Sequence, residues 1–379
     1  MSRAVIIGAG RQGPSVAYDL ARTVQVDEIL LADSDLDVAN TACDRVNQRI
    51  ERTACRPCIV DATDHMGLAD VLSGYDVAIA AAPYRLNPNV HFAGLSASCP
   101  VVDMGLDTPD AHEVHKLSDE ARSKGVSLVT DCGVAPGLVN IVASYLVSRV
   151  PGARAVKLYC GGLPETPQPP FFHQVGFSVD SLLGEYVDPV ESLVDGQVQE
   201  TDPLEQIEFL EFEGLGKLEA ATTSGGTGTA AYFWRGQLDS YVYKTLRFPG
   251  HWRTMTLLRD AGFWSEEPDS NGCVPRDMTL EIMSQHMVVG DYRDIVVALV
   301  KVESATNSAS CTLVDRYDPA TGWTAMQRTT GFSTAIVAQA VLEGMVTPGA
   351  GACESMVDSQ WFIEQLVRRN LMCNFSGLA

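Results

Sequence analysis

The chain is short of cations. Its 27 Lys and Arg stand against 48 Asp and Glu, leaving a formal net charge of -21. Such a surface repels phosphate backbones and anionic lipid, which argues against nucleic acid and membrane as partners. Long apolar runs are missing too: none approaches the roughly 18–20 residues of a membrane helix. The first apolar run, Ala4-Val5-Ile6-Ile7, has no basic leader and breaks at once into glycines, unlike a signal peptide. A disulfide framework is not evident either. The 10 cysteines are scattered along a long chain, which fits free thiols in a reducing, cytoplasmic setting. Cys55-Arg56-Pro57-Cys58 has CxxC spacing, but no second CxxC or His pair supplies the two further ligands of a zinc site. His112-Glu113-Val114-His115 sets its histidines three apart, whereas the zinc-protease helix needs four. No metal is expected. Repeats and low-complexity linkers are also lacking.

What is present is an ordinary globular balance, 46% hydrophobic and 20% charged, over 379 residues. That length exceeds one compact core and predicts two domains. Up to about residue 132, short apolar strands alternate with helices. The strands are 3–7, 28–32 ending on Asp33, 58–60 running into Asp61, 77–82, 100–104 and 126–130. This alternation predicts a Rossmann-type, doubly wound parallel sheet over residues 1–132. Past Pro136-Gly137 the texture changes to half-polar strands at 155–159, 207–212, 241–246, 294–303 and 311–317, joined by turns such as Asp195-Gly196 and Pro249-Gly250. An α+β second domain with a largely antiparallel sheet is expected over 133–345. Helices within 346–379 are expected to rejoin the first domain.

The glycines Gly8, Gly10 and Gly13 form a GxGxxG motif between strand 4–7 and a helix, enclosing Arg11 and Gln12. In that context the first glycine permits a tight turn, the second a close backbone approach to a pyrophosphate, and the third helix–strand packing. The helix start then offers free N–H groups to phosphate. Asp33 lies twenty residues beyond Gly13, at a strand end, where its carboxylate suits ribose hydroxyls and repels a 2′-phosphate. NAD is therefore the expected cofactor. Ligands of open α/β sheets sit at the carboxyl ends of the strands. Asp61 and Ala62 are accordingly expected near the adenine, and Ala81, Ala82 and Pro83 near the nicotinamide ribose.

Several blocks then resemble one family. They are Ala82-Pro83-Tyr84 with Val101-Val102-Asp103, Asp131-Cys132-Gly133-Val134-Ala135-Pro136-Gly137-Leu138, Tyr159-Cys160-Gly161-Gly162-Leu163-Pro164, Tyr243 to His251, and Thr329-Thr330-Gly331-Phe332. In that order, from Arg3 to about Glu343, they resemble the saccharopine dehydrogenase-like amino-acid dehydrogenases. The Cys-Gly-Val-Ala-Pro-Gly wording and the run Thr222 to Thr227 are most similar to the lysine 6-dehydrogenases. The resemblance implies NAD-dependent oxidation at a nitrogen-bearing carbon. For lysine the imine would hydrolyse to ammonia and 2-aminoadipate 6-semialdehyde.

The chemistry needs a carboxylate clamp, a base and a water, and no metal. Arg247 is the expected clamp, because its planar fork matches a carboxylate. Lys244 could assist as a charge or base, yet residues 244 and 247 of one strand point to opposite faces unless the strand bends. Tyr84, Tyr243 and Thr245 are assigned with Arg247 to the substrate. Asp103, Asp107, Asp131 and His173 are the candidates for proton transfer; the aspartates serve equally well as caps or turn formers. Gly225-Gly226 fits a turn or a close approach. The alternatives within the class are saccharopine or carboxynorspermidine dehydrogenases, disfavoured by the two cations (Lys217, Arg235) between Gly161 and Ser240. A non-catalytic NAD-binding protein is the alternative outside it. A homodimer or larger assembly through the second sheet is expected.

Overall fold

A computed structural model describes residues 2–175, 179–288 and 292–378. The first domain runs β1 (Arg3–Ile7), α1 (Gly13–Asp19), β2 (Glu28–Asp33), α2 (Leu36–Ile50), β3 (Cys55–Ile59), α3 (His65–Leu72), β4 (Val77–Ala80), α4 (Asn87–Ala97), β5 (Val101–Asp103), α5 (Thr108–His115), α6 (Ser118–Lys124) and β6 (Ser127–Thr130). These strands pair in parallel in the order β6-β5-β4-β1-β2-β3. The period-2 pattern of buried strands explains the double winding. Ala4 and Ile6 of β1 enter one core, while Val5 and Ile7 enter the core on the opposite face. Val77 and Ile79 of β4 split from Ala78 and Ala80 in the same way. The alternation also separates the two cysteines of the CxxC. Cys55 joins the first core with Cys43, whereas Cys58 packs against the second.

The second domain continues with α7 (Leu138–Arg149), β7 (Ala153–Pro164), α8 (Val179–Val187), β8 (Val190–Val194), β9 (Gln197–Thr201), β10 (Glu208–Phe212), β11 (Gly216–Thr222), α9 (Ala230–Phe233), β12 (Ser240–Arg247), α10 (His251–Asp260), α11 (Pro275–Met287), β13 (Asp294–Ser304) and β14 (Ser308–Arg316). The chain ends with α12 (Phe332–Leu342), β15 (Gly349–Ala352), α13 (Cys353–Met356), α14 (Ser359–Arg368) and β16 (Cys373–Ser376). Nine strands form a mixed sheet with the main order β10-β11-β12-β7-β13-β14-β16. Among the described residues only β12 with β7 is parallel; the other ladders are antiparallel. One face shares a continuous core with the first domain through α7, α12 and α14, so both sheets are anchored on the same buried side chains.

Two features depart from the sequence reading. Residues 349–352 return as a seventh parallel strand beside β6, and β16 crosses instead to the second sheet. Gly-Ala-Gly-Ala has no β-branched or alternating signal, so nothing local marks β15 as a strand. Helix α14 stays with α7 and α12, where Arg369 just beyond its end donates from Nε to Asp19 Oδ2 at 2.7 Å in a fully buried pair. The second departure is a helical cap of α8, α10 and α11 with its own core around Tyr186, Trp252 and Met283. Helix α10 buries only His251, Trp252 and Met255, too narrow a stripe to stand out by periodicity. Among the described residues no helix is long and apolar enough to cross a membrane.

Candidate active site

The glycine loop is shaped by two close approaches. Gly8 has φ +110°, its N–H donates to the Ala32 carbonyl at 2.7 Å, and a Cβ there would collide with the Ala81 backbone. A Cβ on Gly13 would strike the Gly8 carbonyl. Gly10 differs: among the described residues nothing lies within 4 Å of the space a side chain would take. That open cradle over the start of α1 fits a dinucleotide pyrophosphate. Asp33 braces the loop from the end of β2. Its Oδ2 accepts from the Ala9 N–H at 2.8 Å and its Oδ1 from the Asp35 N–H at 3.1 Å.

The other residues expected at the cofactor spread along the same edge. Ala81 and Ala82 are half-buried after β4, and Pro83 is exposed. Asp61 is exposed and folded into its own turn. Its carboxylate accepts from the Thr63 N–H at 2.8 Å and hydroxyl at 2.7 Å, which holds its pKa below the usual value. The Ala62 carbonyl accepts from Asn89 at 2.9 Å. Arg11 reaches from the loop to the Val175 carbonyl at 3.3 Å, and the buried Gln12 Oε1 has no partner among the described residues.

A cavity of about 170 Å³ lies where the two domains meet. Met104 lines it from the first domain, Val134 and Ala135 from the turn that opens the second, and Cys160, Gly161 and Gly162 from β7. Strand β12 contributes Tyr243, Thr245 and Arg247, the alternate residues of one face. Lys244 therefore points the other way. Its ammonium donates to the Gln206 carbonyl at 2.6 Å and to Glu208 Oε1 at 2.7 Å, bracing β10 against β12. The expectation of Lys244 as a base is corrected: strand alternation removes it from the cavity.

Arg247 is only 3% exposed and is oriented by a relay. His251 Nδ1 lies 2.7 Å from the Phe171 carbonyl, which can only accept, so Nδ1 carries the proton and Nε2 is bare. Burial, reinforced by Arg247, pushes the His251 pKa down to about 3, in keeping with a neutral ring. Tyr186 donates its hydroxyl to that bare Nε2 at 3.0 Å. The same oxygen accepts from Arg247 Nε at 3.2 Å, and Arg247 Nη1 donates to the Leu246 carbonyl at 3.0 Å. Nη2 is left toward the cavity, 4.0 Å from Glu185 Oε2. Burial raises the Glu185 carboxyl to about 7 against the pull of Arg247.

His173 also lines the cavity. It is 5% exposed, and neither ring nitrogen has a partner among the described residues. Burial, with Arg247 and His251 adding repulsion, holds its pKa well below the usual value. The ring is thus neutral, with one bare nitrogen to accept a hydrogen bond. Thr245 donates to the Tyr243 hydroxyl at 3.2 Å and shares a 2.6 Å bond with Thr223. Gly226 is a close approach: a Cβ would run into the Tyr243 ring.

Four expected residues lie elsewhere. Asp103 is wholly buried and its oxygens are engaged: Oδ2 by His91 Nε2 at 2.6 Å, Oδ1 by the N–H groups of Gly105 at 2.7 Å and Asp131 at 3.0 Å. Asp131, at φ +63°, is buried beside Asp103 and Glu354, and burial with their repulsion raises its pKa well above normal. Both aspartates are corrected from proton-transfer candidates to anchors of the strand ends, because neither lines the cavity. Tyr84 and Asp107 line a separate groove of about 410 Å³ beyond the 224–228 loop, which corrects Tyr84 as a neighbour of Arg247. Among the described residues no group of three or more His, Cys, Asp or Glu is arranged to hold a metal ion.

Glu185, Tyr186, Gln174 and Tyr292 have no sequence signal of their own. His251 closes the Tyr243 to His251 block, where nothing local gives it a role.

Comparison with known proteins agrees with this layout. Residues 4–129 match the saccharopine dehydrogenase NADP binding domain, and residues 133–371 the saccharopine dehydrogenase C-terminal domain. The mitochondrial alpha-aminoadipic semialdehyde synthase of Bos taurus is 23% identical over 280 residues, 68% of this chain and 29% of that protein. Saccharopine dehydrogenase [NADP(+), L-glutamate-forming] of Saccharomyces cerevisiae is 25% identical over 182 residues, 46% of this chain and 40% of that one. The matches thus span less than half the length of these relatives. In structure, apo saccharopine dehydrogenase (L-Glu forming) from Saccharomyces cerevisiae superimposes with a TM-score of 0.81 at 18% identity, covering 100% of both chains. A homospermidine synthase from Legionella pneumophila in complex with NAD gives 0.70 at 12% identity, covering 99% of this chain and 91% of that one. With both domains matched in order over most of its length, the chain belongs to the saccharopine dehydrogenase family.

Proposed function

We propose that the protein is an NAD-dependent amino-acid dehydrogenase that oxidises an amine-bearing carbon, with L-lysine as substrate and 2-aminoadipate 6-semialdehyde and ammonia as products. The observation that carries this reading is a buried guanidinium fixed by Tyr186, with Nη2 toward the cavity and a neutral, unpartnered His173 beside it. Arg247 would hold the substrate carboxylate, since burying that charge unpaired costs several kcal/mol. The substrate ammonium must lose its proton before oxidation; His173, held neutral, would accept a hydrogen bond from the amine that remains. The Gly8–Gly13 loop with Arg11 and Gln12 would hold the pyrophosphate, Asp33 the ribose hydroxyls, Asp61 and Ala62 the adenine edge, and Ala81 to Pro83 the nicotinamide side. NAD, when bound, supplies the hydride acceptor. One water then replaces nitrogen: amine, NAD⁺ and water become aldehyde, NADH and ammonium. Asp33 favours NAD over NADP, against the NADP named in the relatives, because a 2′-phosphate would meet its carboxylate.

The second reading is oxidation of saccharopine, a secondary amine, favoured by the names of the relatives. It is weakened by the cavity: Arg247 is the single Lys or Arg among its described lining residues, whereas saccharopine carries several carboxylates. NAD reduction assayed with lysine and with saccharopine decides between them. Turnover of saccharopine alone refutes the lysine assignment, and tight NAD binding without turnover of either points to a non-catalytic protein. A cytoplasmic homodimer or larger assembly belongs to the same proposal. It rests on cysteine usage and on the strand-rich second domain, and light scattering at micromolar concentration tests the assembly.

A further inference from the structure

Arg247 and Glu185 reach the cavity from different elements, one from β12 and one from α8. Their charged ends stand 4.0 Å apart, too far for a hydrogen bond. The Glu185 carboxylate has no hydrogen-bond partner among the described residues, and its side chain is 34% exposed where it lines the cavity. Arg247 has already spent Nε and Nη1 on Tyr186 and the Leu246 carbonyl. What the pair offers a ligand is thus one guanidinium nitrogen beside one open carboxylate.

Above about pH 7, where the Glu185 carboxyl is ionised, a bare carboxylate docking on Arg247 would sit against it, and two carboxylates at that range repel strongly in a half-dry site. A ligand carrying an ammonium on the carbon next to its carboxylate reverses the problem. Its carboxylate meets Arg247 while its ammonium meets Glu185, and each buried charge gains a partner. We propose that Glu185 and Arg247 together clamp the head group of an α-amino acid, Glu185 taking the α-ammonium and thereby selecting against simple carboxylates. The inference rests on the reading of Arg247 as the carboxylate clamp. It adds that the α-amine is held, which leaves a distal amine as the one oxidised.

The test uses ligands that lack the distal amine and so bind without turnover. Calorimetry on the full chain loaded with NADH compares L-norleucine, hexanoate and 2-hydroxyhexanoate. Norleucine is expected to bind at least about tenfold more tightly than either of the others, and Glu185→Gln should bring the ratio to within about twofold. Equal affinity of the three for the unmodified chain overturns the clamp, whether or not the variant folds. So does an equal loss for norleucine and hexanoate in Glu185→Gln, which would make Glu185 a brace for Arg247. Glu185→Asp should keep part of the preference. Norleucine selectivity without lysine oxidation would sink the proposed function and leave the clamp standing; lysine oxidation without that selectivity would do the reverse.

Discussion

Replacing Arg247 by Met keeps much of the buried stem and removes the fork. The Tyr186 hydroxyl still donates to His251, so no buried donor is orphaned, but that oxygen and the Leu246 carbonyl each lose a donor. Together these cost about 1–2 kcal/mol of stability, offset in part because a buried charge is also removed. Glu185 loses the cation that opposed its burial, so its carboxyl rises further and is protonated at neutral pH. A substrate carboxylate entering the cavity then has no guanidinium to meet. The expected loss is about 2–4 kcal/mol in apparent transition-state binding, or roughly 30- to 900-fold in kcat/KM, seen mainly in KM. NAD affinity should hardly change, since the glycine loop and Asp33 belong to the other domain. Melting temperature, NAD affinity and lysine kinetics on one preparation separate the outcomes. Loss of stability and of both ligands together would make Arg247 a brace, and survival of all three would refute the placement of the substrate.

Asp33→Ala should narrow a NAD preference of at least about tenfold and weaken NAD binding as well, because the Ala9 N–H loses its acceptor; steady-state kinetics with both cofactors check it, and equal use by the unmodified chain refutes the assignment. Lys244→Met should leave kcat/KM within about twofold and cost no more than about 1 kcal/mol, since its partner Glu208 is 41% exposed; a large fall in kcat would restore Lys244 to the chemistry. Glu354 is buried, and burial raises its carboxyl to about 7 from the ordinary 4.5. The folded state therefore holds its proton longer than the unfolded chain, so stability falls as pH rises from about 4.5 to 7, by about 3 kcal/mol for this group. Urea midpoints between pH 5 and 8 should slope less in Glu354→Gln, and an unchanged slope would assign the titration to another group.

Much of the first domain is legible along the chain because its signals are local. Gly8, Gly10 and Gly13 lie within six consecutive residues, and their spacing alone implies a turn, a cradle and a close helix. The strand alternation that splits Ile6 from Ile7 is read from neighbours in sequence, and so is the rule that puts Lys244 and Arg247 on opposite faces. Which face meets the cavity is another matter. That depends on β12 pairing with β7 and on the cap that covers it, contacts made across tens of residues. Asp103 and Asp131 illustrate the limit: both end strands on the ligand side, as expected, yet their carboxylates are engaged or buried away from the cavity by His91, Gly105 and Glu354.

Glu185 and Tyr186 lie more than 60 residues from Arg247 and His251, and no periodicity links them. The chain by itself determined the glycine-loop half and the opposed faces of Lys244 and Arg247, because backbone geometry and face alternation act over a few residues. Only the folded protein decided which charged groups share the cavity, because desolvation and charge pairing depend on what is brought near in space.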